Sequence, residues 1–360
     1  MTDINLDQMR QDIDNIDEKL TDLFKERMEK SLEIAKYKKD HKVPVFSDKR
    51  EKEILHKVSE QIGEPFDGYA RLLFNTIFDA SRSCQNNYMA KRSDLADRIE
   101  EALKETPNLF PKKAVVACQG VAGSYSQAAC EKLFEVPSIM YFNSFEGVFN
   151  AVEKGLCQYG ILPIENSSYG SVGAVYDLMQ NYNFHIAKGI RLRISHNLMA
   201  KPGTTLSDVK EIFSHEQALG QCGDFLKELK DVNAICSKEC ADLYGLDVLK
   251  KQIQLSDNNY TRFICISKKM EIYPGSNKIS LILSLPHTPR SLYLAISKFA
   301  ALGINLTKLE SRPIPGSDFE FMFYFDLDAS VYSPELINLL SEMESQPETF
   351  VFLGCYTEVI

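Results

Sequence analysis

The amino-acid sequence predicts a multidomain protein: an all-α segment, then an α/β segment, then a ferredoxin-like α+β segment. Three observations predict this. Residues from about 5 to 90 carry apolar positions at i+3/i+4 spacing and no strand-like alternation. From Ala114 short apolar runs alternate with helical patterns as far as Lys269. After Tyr273-Pro-Gly-Ser276 the order becomes βαββαβ. A length of 360 residues is too great for one ordinary core and fits two or three domains. The expected boundaries are 1–90, a linker at 91–112, 113–270 and 277–360.

In the first segment Met9, Ile13, Ile16, Leu20 and Leu23 form a stripe expected to face a core. His41-Lys-Val-Pro44 breaks this helix, a second runs from Asp48 to about Ile62, and after Gly63-Glu-Pro65 a third runs from about Asp67 to Met89. The stripes then turn polar. Arg27, Ser31 and Lys38 continue the first, and Ser81 and Gln85 continue the third. Arg27 and Lys38 share a face about 16 Å apart. A cation on an apolar stripe is costly unless it is paired or binds an anion.

In the second segment Ala114-Val-Val-Ala-Cys118 reads as a buried strand, and Gly120-Val-Ala-Gly123 as a turn opening a helix at Ser124. Asp257-Asn-Asn-Tyr-Thr-Arg-Phe263 is a polar loop feeding a strand. It offers a hydroxyl (Thr261) beside a guanidinium (Arg262) able to hold a carboxylate. In the third segment strands are expected at Lys278–Leu285, Asn305–Glu310, Glu320–Leu327 and Thr349–Tyr356, and helices at Arg290–Leu302 and Pro334–Glu344.

The bulk properties exclude several classes. A hydrophobic content of 44% and a charged content of 25% suit a soluble globular chain. The net charge of −9 disfavours nucleic acid and anionic membranes as partners. The opening residues show no signal-peptide pattern, and no apolar run is of membrane-spanning length. Nine scattered Cys without a CxxC pair suggest reduced thiols and a cytoplasmic location. The six His are isolated from one another and from the Cys, so no metal site is expected. No GxGxxG follows a strand, which disfavours a dinucleotide enzyme.

Residues 5–90 resemble the all-helical (AroQ-class) chorismate mutases. The resemblance implies a pocket lined by Arg27, Lys38, Ser47, Arg50, Glu51, Ser81 and Gln85, with Lys38 and Gln85 donating to the breaking ether oxygen. Arg10 would be supplied to a neighbouring subunit's site, and it lies about 100° off the Arg27 face. Ser47 stands where the family has an acidic residue. The rearrangement needs no cofactor, only a clamped conformer and donors where charge develops.

Gly120-Val-Ala-Gly-Ser-Tyr-Ser126, Pro163-Ile-Glu-Asn-Ser-Ser-Tyr-Gly-Ser-Val172, Ser214-His-Glu-Gln-Ala-Leu219 and Asn259-Tyr-Thr-Arg-Phe263 resemble the prephenate dehydratase family. That implies a two-lobed α/β domain with Thr261 as general acid and Arg262 on a substrate carboxylate. Ser124, Glu165, Asn166, Ser167, Gln217 and Phe263 would line the cleft, and His215 is read as structural. About twenty residues usual in the family are missing near Lys230-Asp-Val-Asn233, so the second lobe is expected to be trimmed.

Glu310-Ser-Arg-Pro313 and the βαββαβ order resemble the ACT domain of these enzymes. This implies phenylalanine binding by Arg290, Ser291, Leu292, Glu310, Ser311 and Arg312, weakened where bulky Arg290 replaces a small residue. The expected function is a bifunctional chorismate mutase/prephenate dehydratase, without cofactor, phenylalanine-regulated and at least dimeric. Two alternatives stay open: an arogenate dehydratase, and a mutase carrying an inactive ligand-sensing domain.

Overall fold

The computed structural model describes residues 6–89, 93–208, 214, 222, 234–236, 241, 243–254, 258–314, 321–345 and 349–360. The chain divides into two compact units. The first comprises Met1–Ala96, Thr288–Lys298 and Glu335–Pro347; the second comprises Asp97–His287, Phe299–Pro334 and Glu348–Ile360.

The first unit is helical. Its first three helices, α1 (Leu6–His41), α2 (Asp48–Ile62) and α3 (Asp67–Met89), fall where the apolar spacing places them. Both α1 and α2 lie against α3. With 36 residues α1 is about 54 Å long, whereas the 23 residues of α3 span about 34 Å. Thus α3 covers only the C-terminal half of α1, where Ser31 and Ala35 are buried. The stripe expected to face a core is bare in the single chain: Met9, Ile13, Ile16, Leu20 and Leu23 are 50–62% exposed. The expectation fails because α3 is too short to reach it. The unit also takes in most of α8 (Ser291–Ala301) and α9 (Pro334–Glu344). Glu342 of α9 accepts from Ser83 of α3 at 2.8 Å and from Lys298 of α8 at 2.8 Å.

The second unit is built on a seven-stranded mixed sheet. Its strands are β1 (Lys113–Gln119), β2 (Val136–Phe142), β3 (Tyr159–Asn166), β4 (Gly170–Ser171), β5 (His185–Arg193), β9 (Tyr260–Ser267) and β14 (Glu358–Val359). The order is β14-β5-β9-β3-β1-β2, with β4 paired to β3. Helix α4 (Asp94–Glu105) precedes β1, and helices α5 (Tyr125–Leu133), α6 (Phe145–Glu153) and α7 (Gly173–Asn181) connect these strands. A second, three-stranded sheet has the order β7 (Ala234–Cys236), β6 (Asn197–Ala200), β8 (Asp247–Lys250). A third holds β11 (Asn305–Pro313), β12 (Phe321–Asp328), β10 (Lys278–Ser284) and β13 (Phe350–Tyr356) in that order, all neighbours antiparallel. Three of these strands lie within one residue of the expected ones, and β11 runs three residues further, to Pro313. Strand β14 was not expected; it carries the chain end back into the first sheet beside β5.

Strand alternation divides the core of this unit. On β9 the residues Phe263 and Cys265 pack with Ala129, Phe134 and Ile161 on one face. Ile264 and Ile266 pack on the other with Phe149, Ile164, Ile282, Tyr324 and Leu353. The second cluster therefore joins the seven-stranded sheet to the C-terminal sheet. Among the described residues no helix is long and apolar enough to cross a membrane.

Candidate active sites

In the first unit the polar ends of the helical stripes meet. Lys38 Nζ donates to Val45 O at 2.7 Å and to Gln85 Oε1 at 3.3 Å. Arg27 donates to Ser81 Oγ and lies over the Phe78 ring, 5.8 Å from its centroid. Ser81 Oγ donates to Ile77 O at 2.8 Å, and both Ser81 and Gln85 are buried. Burial pulls the Arg27 guanidinium below its usual pKa. Burial likewise lowers Lys38, with Glu51 opposing the shift. Such cations gain by meeting an anion.

Glu51 is held by Arg82 of α3 at 2.6 and 2.8 Å, and Arg82 also pairs with Asp79. Arg82 was not singled out from the sequence; its spacing of three residues from both Asp79 and Gln85 was the available signal. Two expected pocket residues, Arg50 and Ser47, are not brought to this cluster, and Arg10, expected at a neighbouring subunit's site, is not near it either. Arg50 is exposed and pairs with Glu53 at 3.4 Å. Ser47 sits exposed at the N-cap of α2, its carbonyl accepting from Glu51 N at 3.1 Å. Arg10 is exposed beside Asp7, about 26 Å along α1 from Arg27, and cannot serve this pocket.

In the second unit a β-bulge decides the site. Pro163 of β3 pairs with Phe263 of β9, but the register slips between Pro163 and Glu165. Glu165 then faces Arg262, and Asn166 faces Thr261. One extra residue, Ile164, has re-aimed the strand end. Asn166 Nδ2 donates to Thr261 Oγ1 at 2.9 Å and to Asn259 Oδ1 at 2.7 Å. Its Oδ1 accepts from the amides of Ser168 at 2.9 Å and Tyr169 at 3.0 Å. Ser167 clasps the same loop, donating to Asn258 O at 2.7 Å and accepting from Tyr260 N at 2.9 Å. Because Thr261 Oγ1 receives the Asn166 proton, its own proton is left to donate to a third group.

The N-terminal end of α5 is stitched to this cluster. Gly120 and Gly123 have φ of 113° and 85°, a turn that an L side chain rarely adopts. Ser124 follows as the N-cap, its hydroxyl accepting from Gln127 N. Tyr125 OH donates to Ser195 O at 2.6 Å, and the neighbouring Ile194 N donates to Asn259 O at 2.7 Å. Asn259, 1% exposed, is thus the hub between α5 and the Asn166–Thr261 pair.

Arg262 departs from the expectation that it binds a substrate carboxylate beside Thr261. Adjacent strand residues point to opposite faces, so its guanidinium is turned away. It pairs with Asp326, with Tyr356 OH at 2.6 Å and with Glu358 at 2.5 Å. Burial lowers the Arg262 pKa, but Tyr356, Asp326 and Glu358 more than reverse this and hold it raised. Phe263 is a core residue. Gln217 and His215, together with the expected deletion near 230–233, lie outside the described residues.

The residues expected to bind an effector are divided. Arg290 (φ 76°), Ser291 and Leu292 belong to the first unit, where Arg290 pairs with Asp79 at 3.2 Å and Ser291 meets Thr288 at 2.7 Å. Glu310, Ser311 and Arg312 belong to the second. Strand alternation turns Glu310 to Ser171 at 2.7 Å and Arg312 to Asp177 at 2.8 Å, leaving Ser311 exposed.

Comparison with known proteins matches the two clusters separately. The family model for chorismate mutase type II matches residues 9–86, and that for prephenate dehydratase matches residues 116–233 and 227–271. The two parts of the second match overlap at residues 227–233. The chain is 34% identical over 275 residues to arogenate dehydratase/prephenate dehydratase 2, chloroplastic, of Arabidopsis thaliana, covering 67% of this chain and 72% of that protein. It is 29% identical over 381 residues to the bifunctional chorismate mutase/prephenate dehydratase of Escherichia coli (strain K12), covering 97% and 95%. The prephenate dehydratase of Arthrobacter aurescens, solved in complex with L-Phe, superposes with a TM-score of 0.61 at 25% identity, covering 68% of this chain and 89% of that one.

Proposed function

The chain belongs to the prephenate dehydratase family and carries a type II chorismate mutase domain ahead of it, and from that premise we propose how its two clusters divide one reaction sequence. Chorismate is rearranged to prephenate at residues 1–90. Prephenate is then dehydrated and decarboxylated to phenylpyruvate at residues 113–270, in the synthesis of phenylalanine. Residues 91–112 are the linker. The observation that carries the reading is that one chain assembles both polar clusters, the first part-buried, around Ser81 and Gln85, and the second buried at Asn166, Asn259 and Thr261.

At the first cluster Arg27 and Lys38 hold chorismate in its compact conformer. Val45 O and Gln85 take two of the three Lys38 protons, and the third is directed at the ether oxygen as it gains charge. Gln85 accepts from Lys38 and so keeps its NH2 to donate to the same oxygen. Glu51, held by Arg82, faces the substrate hydroxyl. Arg10 completes the site of a second copy, and the bare apolar stripe of α1 is the surface on which that copy packs.

At the second cluster Thr261 gives its proton to the departing hydroxyl as CO₂ leaves and the ring becomes aromatic. Asn166 keeps the Thr261 proton pointed outward. The N-terminal end of α5, with Ser124, takes a substrate carboxylate. Residues 277–360 form an ACT domain that takes phenylalanine as a feedback effector. Neither reaction uses a cofactor. The likeness to plant arogenate dehydratases favours arogenate as a second substrate of the same site. The test is turnover of chorismate, prephenate and arogenate by the purified chain, with and without phenylalanine. Loss of chorismate without phenylpyruvate formation would reduce the chain to a mutase.

A further inference from the structure

The face of β9 opposite Thr261 carries a second polar cluster that the proposed chemistry leaves unused. Glu165 and Arg262 face each other across the β3–β9 pair, 3.8 Å apart at their charged ends. Lys308 of β11 reaches Glu165 at 3.1 Å and Ser171 at 2.8 Å, its ammonium 5.2 Å from the Tyr176 ring centroid. Asp326 of β12 pairs with Arg262, and Ser280 of β10 donates to Asp326. Glu358 of β14 bridges Arg262 and Arg191, each at 2.5 Å. Three cations and three carboxylates are thus matched, and the Lys308, Asp326, Arg262 and Glu358 side chains are all about a tenth exposed or less. Lys308, Asp326 and Glu358 all lie beyond the residues matched as prephenate dehydratase.

We propose that Lys308 and Asp326, borne by the C-terminal sheet, are positioning residues for the dehydratase reaction, holding Glu165 and Arg262 from behind so that Asn166 and Thr261 meet in front. The inference rests on the dehydratase reading of the Asn166–Thr261 pair. Its geometry is that of a pleated ladder. Glu165 precedes Asn166 and Arg262 follows Thr261, so each pair shares a peptide and neither can move alone. The site stands directly after the bulge at Ile164, where regular ladder bonds are interrupted and register is least fixed by the backbone. Side-chain anchors on the rear face supply what the interrupted ladder lacks. A misplacement of about 1 Å at a reacting group lowers turnover by about 10²-fold.

The test uses the full-length chain with Lys308→Met, which keeps most of the stem over Tyr176, and Asp326→Asn, which keeps the shape. The expected result is a dehydratase kcat lower by about tenfold or more, with KM for prephenate within about threefold and mutase turnover unchanged. Lys308→Arg is expected to restore most of the rate. Adding Glu165→Gln to Lys308→Met is expected to cost no more than Lys308→Met alone, because both act through one contact. Variants that melt like wild type and keep kcat within about twofold would overturn the proposal, as would a rate loss that only follows the fraction unfolded. If Asp326→Asn does not fold, the Lys308 variants, at the edge of the cluster, decide alone. Failure of the wild type to turn over prephenate or arogenate would sink both this inference and the reading beneath it. A wild type that is active, with Thr261→Ala inactive and the Lys308 variants unaffected, would sink this inference only.

Discussion

Replacing Asn166 with Asp removes both donations of its amide, obliging Asn259 to turn its own amide inward, and leaves the acceptor side of the residue in place. The Asn166 side chain donates to Thr261 at 2.9 Å and to Asn259 at 2.7 Å. Its carbonyl oxygen accepts from two backbone amides, at 2.9 and 3.0 Å. A carboxylate still accepts from those amides, so the β3–β4 turn is kept. It can no longer donate, and the Thr261 hydroxyl must now donate to it. The proton aimed at the leaving hydroxyl is thereby withdrawn. A positioned general acid contributes about 10²–10⁴-fold, so Asn166→Asp should lower dehydratase kcat by about 10³-fold, about 4 kcal/mol of barrier. Asn166→Ala removes the donor, and with it the acceptor of the Ser168 and Tyr169 amides, but leaves the Thr261 proton free to donate; a fall in kcat of about tenfold is expected, the size of the lost Thr261 bond, with stability lowered besides. The assay is phenylpyruvate formation from prephenate at saturation, with chorismate consumption on the same samples as an internal control. The ordering carries the argument. If Asn166→Asp were no worse than Asn166→Ala, or within about threefold of wild type, the claim that Thr261 gives its proton to the substrate would be refuted.

Three further outcomes follow from the same contacts. Mutase activity needs a protonated Lys38 whose pKa burial lowers, so activity should fall at a pH below that of an ordinary lysine; a pH–rate profile of Lys38→Arg should move that limb upward. His185 is buried with its pKa pulled down to about 4 by burial and then by Arg98. A depressed histidine favours folding above its unfolded value of 6.5, so up to about 3 kcal/mol should be lost as pH falls from 6.5 toward 4. Melting curves of His185→Gln should show a shallower acid limb than wild type. Ile16→Asp with Leu20→Asp, both on the bare stripe, should turn a dimer into a monomer in sedimentation and remove mutase activity, because Arg10 then has no partner site. A monomer with full mutase activity would refute the trans assignment.

Much of the first unit was legible because helices declare themselves by spacing. Lys38 and Gln85 were found as polar residues continuing apolar stripes, and they meet at 3.3 Å. What spacing could not give is which part of a stripe the chain itself covers. That depends on the unequal lengths of α1 and α3. In the second unit Thr261 and Arg262 read as one catalytic dipeptide because they are adjacent. The period of two along β9 sends them to opposite faces. The bulge at Ile164 had no sequence signal of its own, yet it decides that Asn166 rather than Glu165 faces Thr261. Asn259 stood inside a quoted motif but became a site residue only once its partners were placed. Lys308, Asp326 and Glu358 were beyond reach, since the charged groups they pair with lie at least 64 positions away.

The central claim is that two independent sites in one chain perform consecutive reactions. The most direct measurement is a time course of chorismate, prephenate and phenylpyruvate for wild type, Lys38→Met and Thr261→Val, each as the purified full-length chain. Wild type is predicted to carry chorismate through to phenylpyruvate. Lys38→Met should leave chorismate untouched, with a loss of about 10²–10³-fold, while still consuming added prephenate. Thr261→Val should convert chorismate and accumulate prephenate. Phenylpyruvate formation at the wild-type rate by Thr261→Val, or loss of both activities in either variant with the fold intact, would contradict the account.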